Sequence, residues 1–416
     1  MTIDTKPGLV FPAVRDEKLN PVSFRLERVA LWLLLAFVGS LQISIAAANV
    51  LLAATLLCWA RLLVRDRTWP AAPIFFLPLA AYAGATLVSA AFSLDPLASL
   101  IDSKQLLLFL IVPAVYHLAR GRHAATVIDV ILTVGAASAA YGVIQYGVLK
   151  YDSLQMRPDG ALTHYMTYSG VLMLVICTAV ARLVFGSRDR IWPALVMPAL
   201  VVALAVSLGR NAWVGACVAV GLLLILKDLR LVALLPIAIA IVLAVAPDSV
   251  TNRMMTMFDV RDPTNQDRLA MIEIGARIVA DHPLTGVGPT MVQEVYPDYR
   301  PEYAVEEVNP HLHNVPVQIA AERGLPALAI FIWFVAALSM ALVRLFRQER
   351  DRMLAAAGLA ATAAMLAAGL FEYNFGDSEF LMLFLVIVTL PFAALRPAPS
   401  ERRESKGAPH AAAARA

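Results

Sequence analysis

Charge is scarce in this chain. Asp, Glu, Lys and Arg make up 16% of its 416 residues, while 60% are hydrophobic. Cysteine is scarcer still: Cys58, Cys177 and Cys217 all fall inside apolar runs. There they read as small buried residues, which excludes a disulfide framework or a thiolate metal site. No basic cluster interleaves with aromatics, so nucleic acid is not an expected partner. The net charge of +3 adds nothing, because the arginine bias of membrane loops accounts for it. The first 24 residues are of mixed charge and lack an apolar core, so no cleavable signal peptide is expected.

What the chain does have is one long aliphatic run after another. About 20 predominantly apolar residues are needed to cross a hydrocarbon core about 30 Å thick. Expected spans are 28–44, 45–64, 73–92, 99–118, 123–147, 166–185, 191–208, 211–226, 229–246, 325–346, 351–371 and 379–396. The first two are divided only by the Gly39–Gln42 region. A membrane leaves helices or a closed barrel, and runs this long without alternation exclude the barrel. The expected fold is an all-α polytopic membrane protein of about twelve transmembrane helices. It divides into a segment 1–27, a bundle 28–246 of about nine spans, a loop 247–324, a bundle 325–396 of about three spans, and a disordered tail 397–416.

Lys and Arg set the orientation. With the N-terminus cytoplasmic, alternate loops carry Arg61, Arg65 and Arg67, then Arg120 and Arg122, then Arg182, Arg188 and Arg190, then Lys227 and Arg230. Arg344, Arg347, Arg350 and Arg352 follow, and Arg396, Arg402, Arg403 and Lys406 mark the tail. Every inner loop is basic and both termini are expected in the cytoplasm. The 247–324 loop then lies outside, in the periplasm of a Gram-negative inner membrane.

That loop is the place for water-dependent chemistry. It holds twelve carboxylates and six arginines: Arg253, Arg261, Arg268, Arg277, Arg300 and Arg323. Outer loops are normally poor in arginine. Either these pair with the acids at the surface, or some converge on an anionic group, for which guanidinium offers a planar, permanently charged fork. Residues 265–281 read as a helix capped by Thr264 or Asn265. Arg268 shares its apolar face with Met271, Ile272, Gly275 and Val279, whereas Arg277 points the opposite way. An arginine on an apolar face calls for a partner there. The turn Gly286-Val287-Gly288-Pro289 stops the helix; without a third glycine or a preceding strand it is no nucleotide signature.

The string NPHLHNVPVQIAAERG, residues 309–324, begins with Asn309 as an expected cap and Pro310 at the first helical position, and Gly324 sits where a stop belongs. Pro316 predicts a kink or a late helix start. Two histidines two residues apart cannot share a helical face, and neither cysteine nor HExxH stands nearby, so no metal is expected. Either His311 or His313 is a hydrogen-bonded loop residue or a general base, since imidazole titrates close to neutrality. Other polar groups at the same end are Arg210 in SLGRNAWVG, Lys104, the loop 148–165 with Lys150, Asp152, Arg157, Asp159 and His164, and FEYNFGDSEF with Glu372, Asp377 and Glu379. That acidic cluster could orient an arginine or bind sugar hydroxyls.

Three of these features resemble the O-antigen ligase and O-antigen polymerase superfamily of membrane glycosyltransferases. SLGRNAWVG is similar to the family's Ser-Arg-Gly-type motif, with Gly209 in place of Ser before Arg210. An Arg-headed helix from Arg268 runs into His282-Pro283-Leu284-Thr285-Gly286-Val287-Gly288. Then come His313, Asn314, Gln318, Glu322 and Gly324. The matches cover about 115 residues, from Arg210 to Gly324, and GDSEF resembles the ligase branch. The resemblance implies a GT-C-like fold and an inverting transfer that needs no metal or other cofactor. The implied donor is a glycan on undecaprenyl diphosphate and the implied acceptor a hydroxyl of lipid A–core, with membrane lipids around both. It makes His313 the base and Arg210 and Arg268 the diphosphate ligands. Arg157, Lys104, Arg300, Glu273, His311 and Asn314 are secondary candidates. No DxD-like cluster lies beside the histidine, in keeping with metal independence.

The rival within the family is the polymerase that extends the same lipid-linked glycan. A protein O-oligosaccharyltransferase usually carries a larger soluble C-terminal region. A transporter or flippase is the alternative of another class, but those usually show internal repeats and mid-span charges. Here the charges cluster at span ends and in one loop.

Overall fold

A computed structural model describes residues 21–397 except 188, 260 and 350. The expected disordered tail, most of the N-terminal segment, and Arg188, Arg350, Arg402, Arg403 and Lys406 lie outside the described residues. Among those described, every regular element is helical: α1 (Pro21–Ser40), α2 (Ile45–Arg65), α3 (Phe76–Ala91), α4 (Pro96–Asp102), α5 (Ile111–Leu118), α6 (His123–Gly147), α7 (Tyr165–Phe185) and α8 (Ile191–Val206). There follow α9 (Arg210–Lys227), α10 (Leu234–Val245), α11 (Asp248–Met255), α12 (Pro263–Asp281), α13 (Val292–Tyr299), α14 (Val315–Gln348), α15 (Met353–Ala368) and α16 (Ser378–Ala394). Six helical segments are long and apolar enough to cross a membrane, and five shorter apolar ones have 10–17 residues. The chain is a multi-pass, all-helical membrane protein.

Small residues build the centre. α15 is rich in alanine and packs against α7, α9 and α16. At that contact a Cβ on Gly215 of α9 would lie 2.9 Å from the carbonyl oxygen of Ala364, so the two backbones approach as closely as glycine permits. Gly170 of α7 makes room in the same way for the ring of Phe380 on α16. Outward-facing side chains stay apolar: Leu57, Val64, Ile241 and Val245 are exposed, as on a lipid-facing surface.

The polar segment has a core of its own, formed by Met271, Ile274 and Ile278 of α12, Val292 and Tyr296 of α13, and Leu312 and Ala321. α12 begins at Pro263 with Asp262 as its cap, its side chain accepting from Thr264 N, so the start falls two residues earlier than the sequence suggests. α14 starts late, as Pro316 predicts. Its cap is Asn314, while Asn309 instead donates to Asp267 and to the hydroxyl of Tyr296.

Gly324 does leave helical geometry (φ 79°, ψ 168°), but the helix resumes at once, so α14 is broken rather than stopped. The break strands backbone groups inside the protein. The turn after α12 satisfies them: Val287 N and Gly288 N donate to Ala321 O and Glu322 O, and Leu325 N donates to Pro283 O. Ser89 of α3 reaches both Thr285 O and Glu322 O. The approach requires glycine, since a Cβ on Gly286 would lie 2.3 Å from Glu322 O and one on Gly324 would lie 2.2 Å from Leu284 O. Both have positive φ as well. The amides of Val287 and Gly288 are therefore spent on helix α14, not offered to a phosphate. Glu322 completes the clamp, accepting from Thr290 N while pairing with Arg323.

Candidate functional site

The site begins where α14 meets the loop between α15 and α16. Val315 N donates to Gly369 O and Asn314 Nδ2 to Leu370 O, which stitches the start of α14 to that loop. Ahead of the helix, His313 adopts φ 46°, a left-handed conformation that costs a side-chain-bearing residue about 1–3 kcal/mol and occurs most at functional sites. The loop supplies Glu372, which is buried. Its Oε1 lies 2.9 Å from His311 Nε2 and its Oε2 lies 2.8 Å from His313 Nδ1. Burial alone would raise this carboxyl's pKa; hydrogen bonds from His311 and His313 overcome that and hold it well below the usual range.

The two histidines are thus not equivalent. A carboxylate accepts, so His313 carries a proton on Nδ1 and its Nε2 is left with the lone pair. His311 is engaged through Nε2 instead. The rings are close, with centroids 4.2 Å apart. Both line a cavity of about 430 Å³ together with His164, Thr167, Asn211 and Asp377. Asp377 caps α16 and hydrogen-bonds Thr167, and burial raises its carboxyl pKa.

No arginine lines this cavity among the described residues, but Arg210 and Arg157 adjoin residues that do. Arg210 opens α9 beside Asn211 and is buried; it donates to Thr256 O at 3.1 Å and pairs with Asp262 at 3.4 Å. Arg157 lies over the ring of Tyr165 at 4.1 Å, next to His164. Arg268 makes no hydrogen bond or ion pair among the described residues. Burial pulls its pKa below the usual arginine value, while the charge of Glu372 works the other way. Arg253, which sequence reasoning passed over, joins the group: its Nη1 lies 3.8 Å from Asp262. Burial, then the neighbouring Arg210 and Arg157, pull its pKa down to about 10. Its only signal in the sequence was membership of an arginine-rich outer loop.

The remaining candidates do not line the cavity. Glu273 is half-buried and bonded to Arg277 and Tyr303, an ordinary surface cluster. Arg300 donates to Ala304 O within its own loop. Lys104 is exposed. Asn314 is occupied as a cap. Glu372 was expected to orient an arginine or bind a sugar; it orients the histidines.

The same three side chains bear on metal binding. One donor atom from each of His311, His313 and Glu372 lies within 4.8 Å of the others. Two imidazoles and a carboxylate suit a divalent first-row ion. A His-x-His pair needs a non-helical backbone, and the sequence shows neither cysteine nor HExxH nearby to complete it. Residues 311–313 are not helical, and the two rings do converge.

Residues 194–332 match a protein family described as O-Antigen ligase. The match takes in Arg210, Arg253, Arg268, both histidines and the break at Gly324. It bears out, over this stretch of about a third of the chain, the resemblance to the O-antigen ligase and polymerase superfamily. The match supports a glycan-transferring function of the ligase or polymerase type. No curated protein matches the chain.

Proposed function

We propose that this chain is an O-antigen ligase of the bacterial inner membrane, with twelve spans in a GT-C-like arrangement and its site facing the periplasm. The glycan moves from undecaprenyl diphosphate to a hydroxyl of lipid A–core. The observation that carries the reading is the His313–Glu372 pair beside the arginine group. His313 Nε2 accepts the acceptor hydroxyl proton as that oxygen attacks the anomeric carbon from the face opposite the leaving group. The bond to the diphosphate breaks, its electron pair goes to the diphosphate oxygen, and the configuration inverts. Charge then accumulates where Arg210 and Arg268 stand, and fixed guanidiniums stabilise it without a metal. Glu372 holds the imidazole in the required tautomer and offsets the charge it acquires.

Basic residues on alternate loops support the periplasmic orientation. The polymerase shares this chemistry and differs only in its acceptor. Purified protein in detergent with EDTA, given lipid-linked glycan and rough lipopolysaccharide, should attach glycan to the lipopolysaccharide. His313→Ala and Arg268→Ala should abolish that transfer. Lengthening of the lipid-linked glycan alone would assign the polymerase. Neither product, from folded protein with authentic donor, would favour a transporter.

A further inference from the structure

The arginine group is out of balance. Arg157, Arg210, Arg253 and Arg268 lie within range of one another's charge, and two carboxylates act on them: Asp262, which pairs with Arg210 and Arg253, and Glu372, which acts more strongly than Asp262 on Arg268. Asp262 does not satisfy them. It stands 3.4 Å from Arg210 and 3.8 Å from Arg253, through different oxygens. Charge-assisted contacts normally close to about 2.7–2.9 Å. Arg253 is nine-tenths buried, and its Nε is buried with no hydrogen-bond partner. Unpaired donors on a buried guanidinium are costly unless an acceptor arrives. Asp262 also has a second task, capping α12 through Thr264 N. Its carboxylate spans two guanidiniums that stand too far apart for it, at a spacing that suits a larger, more highly charged anion.

We propose that Arg253 is a further ligand for the diphosphate, and that Asp262 is an internal counter-ion which gives up Arg210 and Arg253 when the diphosphate binds. This rests on the glycosyl-transfer reading above and extends it. Asp262 keeps the cluster partly neutral, so the diphosphate must displace a carboxylate before it is gripped by all four arginines. The exchange would set affinity and favour diphosphate over monophosphate, which brings fewer oxygens and less charge to Arg210 and Arg253.

The test is equilibrium binding of farnesyl diphosphate and farnesyl monophosphate to the full chain in detergent. Arg253→Gln should weaken diphosphate binding about 10-fold or more, as for loss of a charged hydrogen bond, and monophosphate binding by less than about threefold. Arg253→Lys, which keeps charge but not the fork, should fall between. Asp262→Asn should tighten diphosphate binding several-fold, and asparagine caps a helix as well as aspartate does. A purely architectural Asp262 predicts weaker or unchanged binding in that variant, and either result overturns the counter-ion role. Unchanged affinity in Arg253→Gln overturns its part. Arg210→Ala and Arg268→Ala separate the two levels. If they weaken binding while the Arg253 and Asp262 variants behave as wild type, only this inference fails. If wild type does not bind the diphosphate, the transfer reading fails with it.

Discussion

Nδ1 of His313 lies 2.8 Å from Oε2 of Glu372 across 59 residues of sequence, while the same carboxylate holds Nε2 of His311 at 2.9 Å. One acid therefore fixes two imidazoles in opposite senses, leaving Nε2 free on His313 and Nδ1 free on His311.

This asymmetry ranks the histidines. His313→Ala should lower transfer about 10²–10⁴-fold, the range for a positioned general base. His311→Ala should cost less than about tenfold. Initial rates with saturating donor would check it, and equal losses would remove the distinction.

Glu372 acts through His313, and its conservative variants should show that. Glu372→Gln should lower kcat about 10–100-fold with little change in the acceptor KM, and should move the acidic limb of the pH–rate profile. Glu372→Asp should recover part of kcat. A loss confined to KM would indicate that the carboxylate binds sugar instead.

Stability should follow the same carboxyl group as pH changes. Its pKa is lowered in the folded protein, so its contribution is complete above the ordinary glutamate value of about 4.3. That contribution is lost as pH falls from there through the folded value. The difference in melting temperature between wild type and Glu372→Gln should be fully present at about pH 5 and shrink below about 4. A difference that grows below about pH 4 would contradict the pairing.

Zinc gives an independent check on the three-donor cluster. EDTA should leave transfer unchanged. Added Zn²⁺ should inhibit it reversibly by taking the donors of His311, His313 and Glu372, and Glu372→Gln should blunt the inhibition. Loss of activity in EDTA, restored by a divalent ion, would turn the cluster into a catalytic metal site.

The backbone clamp makes a purely structural prediction. Gly286→Ala and Gly324→Ala each combine positive φ with a Cβ driven into a carbonyl. Each should cost more than the roughly 1 kcal/mol of an ordinary conformational mismatch and lower the melting temperature by several degrees. A melting temperature within a degree of wild type would show that the strap is not held as closely as described.

Much of this arrangement was legible in the sequence, and the reasons are local. Apolar runs and basic loops mark the helices, because the bilayer constrains length and composition directly. Arg268 stood out as a charge on an apolar face. His313 was named through the family motif, with His311 left as an alternative. The carboxylate that separates the two was read only as part of an acidic cluster, because nothing local in the sequence tells of a contact 59 residues away. Glu273 could have been discounted from spacing alone: it stands four residues before Arg277, as a helix-surface ion pair does. Asn309 looked like a cap because Pro310 follows it. Asn314 won because it also reaches Leu370 O and ties the helix to the rest of the fold.

The broken helix α14 has a mechanical meaning. Its part after Gly324 runs for about 36 Å at 1.5 Å per residue, slightly more than a hydrocarbon core of about 30 Å. A helix longer than its bilayer is free to tilt as thickness changes. The histidines ride at the head of α14, whereas Glu372 hangs between α15 and α16. The bonds from Val315 and Asn314 to Gly369 and Leu370 tie both to one body, so a tilt of the segment after Gly324 is taken up at the break rather than at the hydrogen bond that readies the base. The break thereby insulates the base from lipid thickness, and transfer in vesicles of graded acyl-chain length should change little.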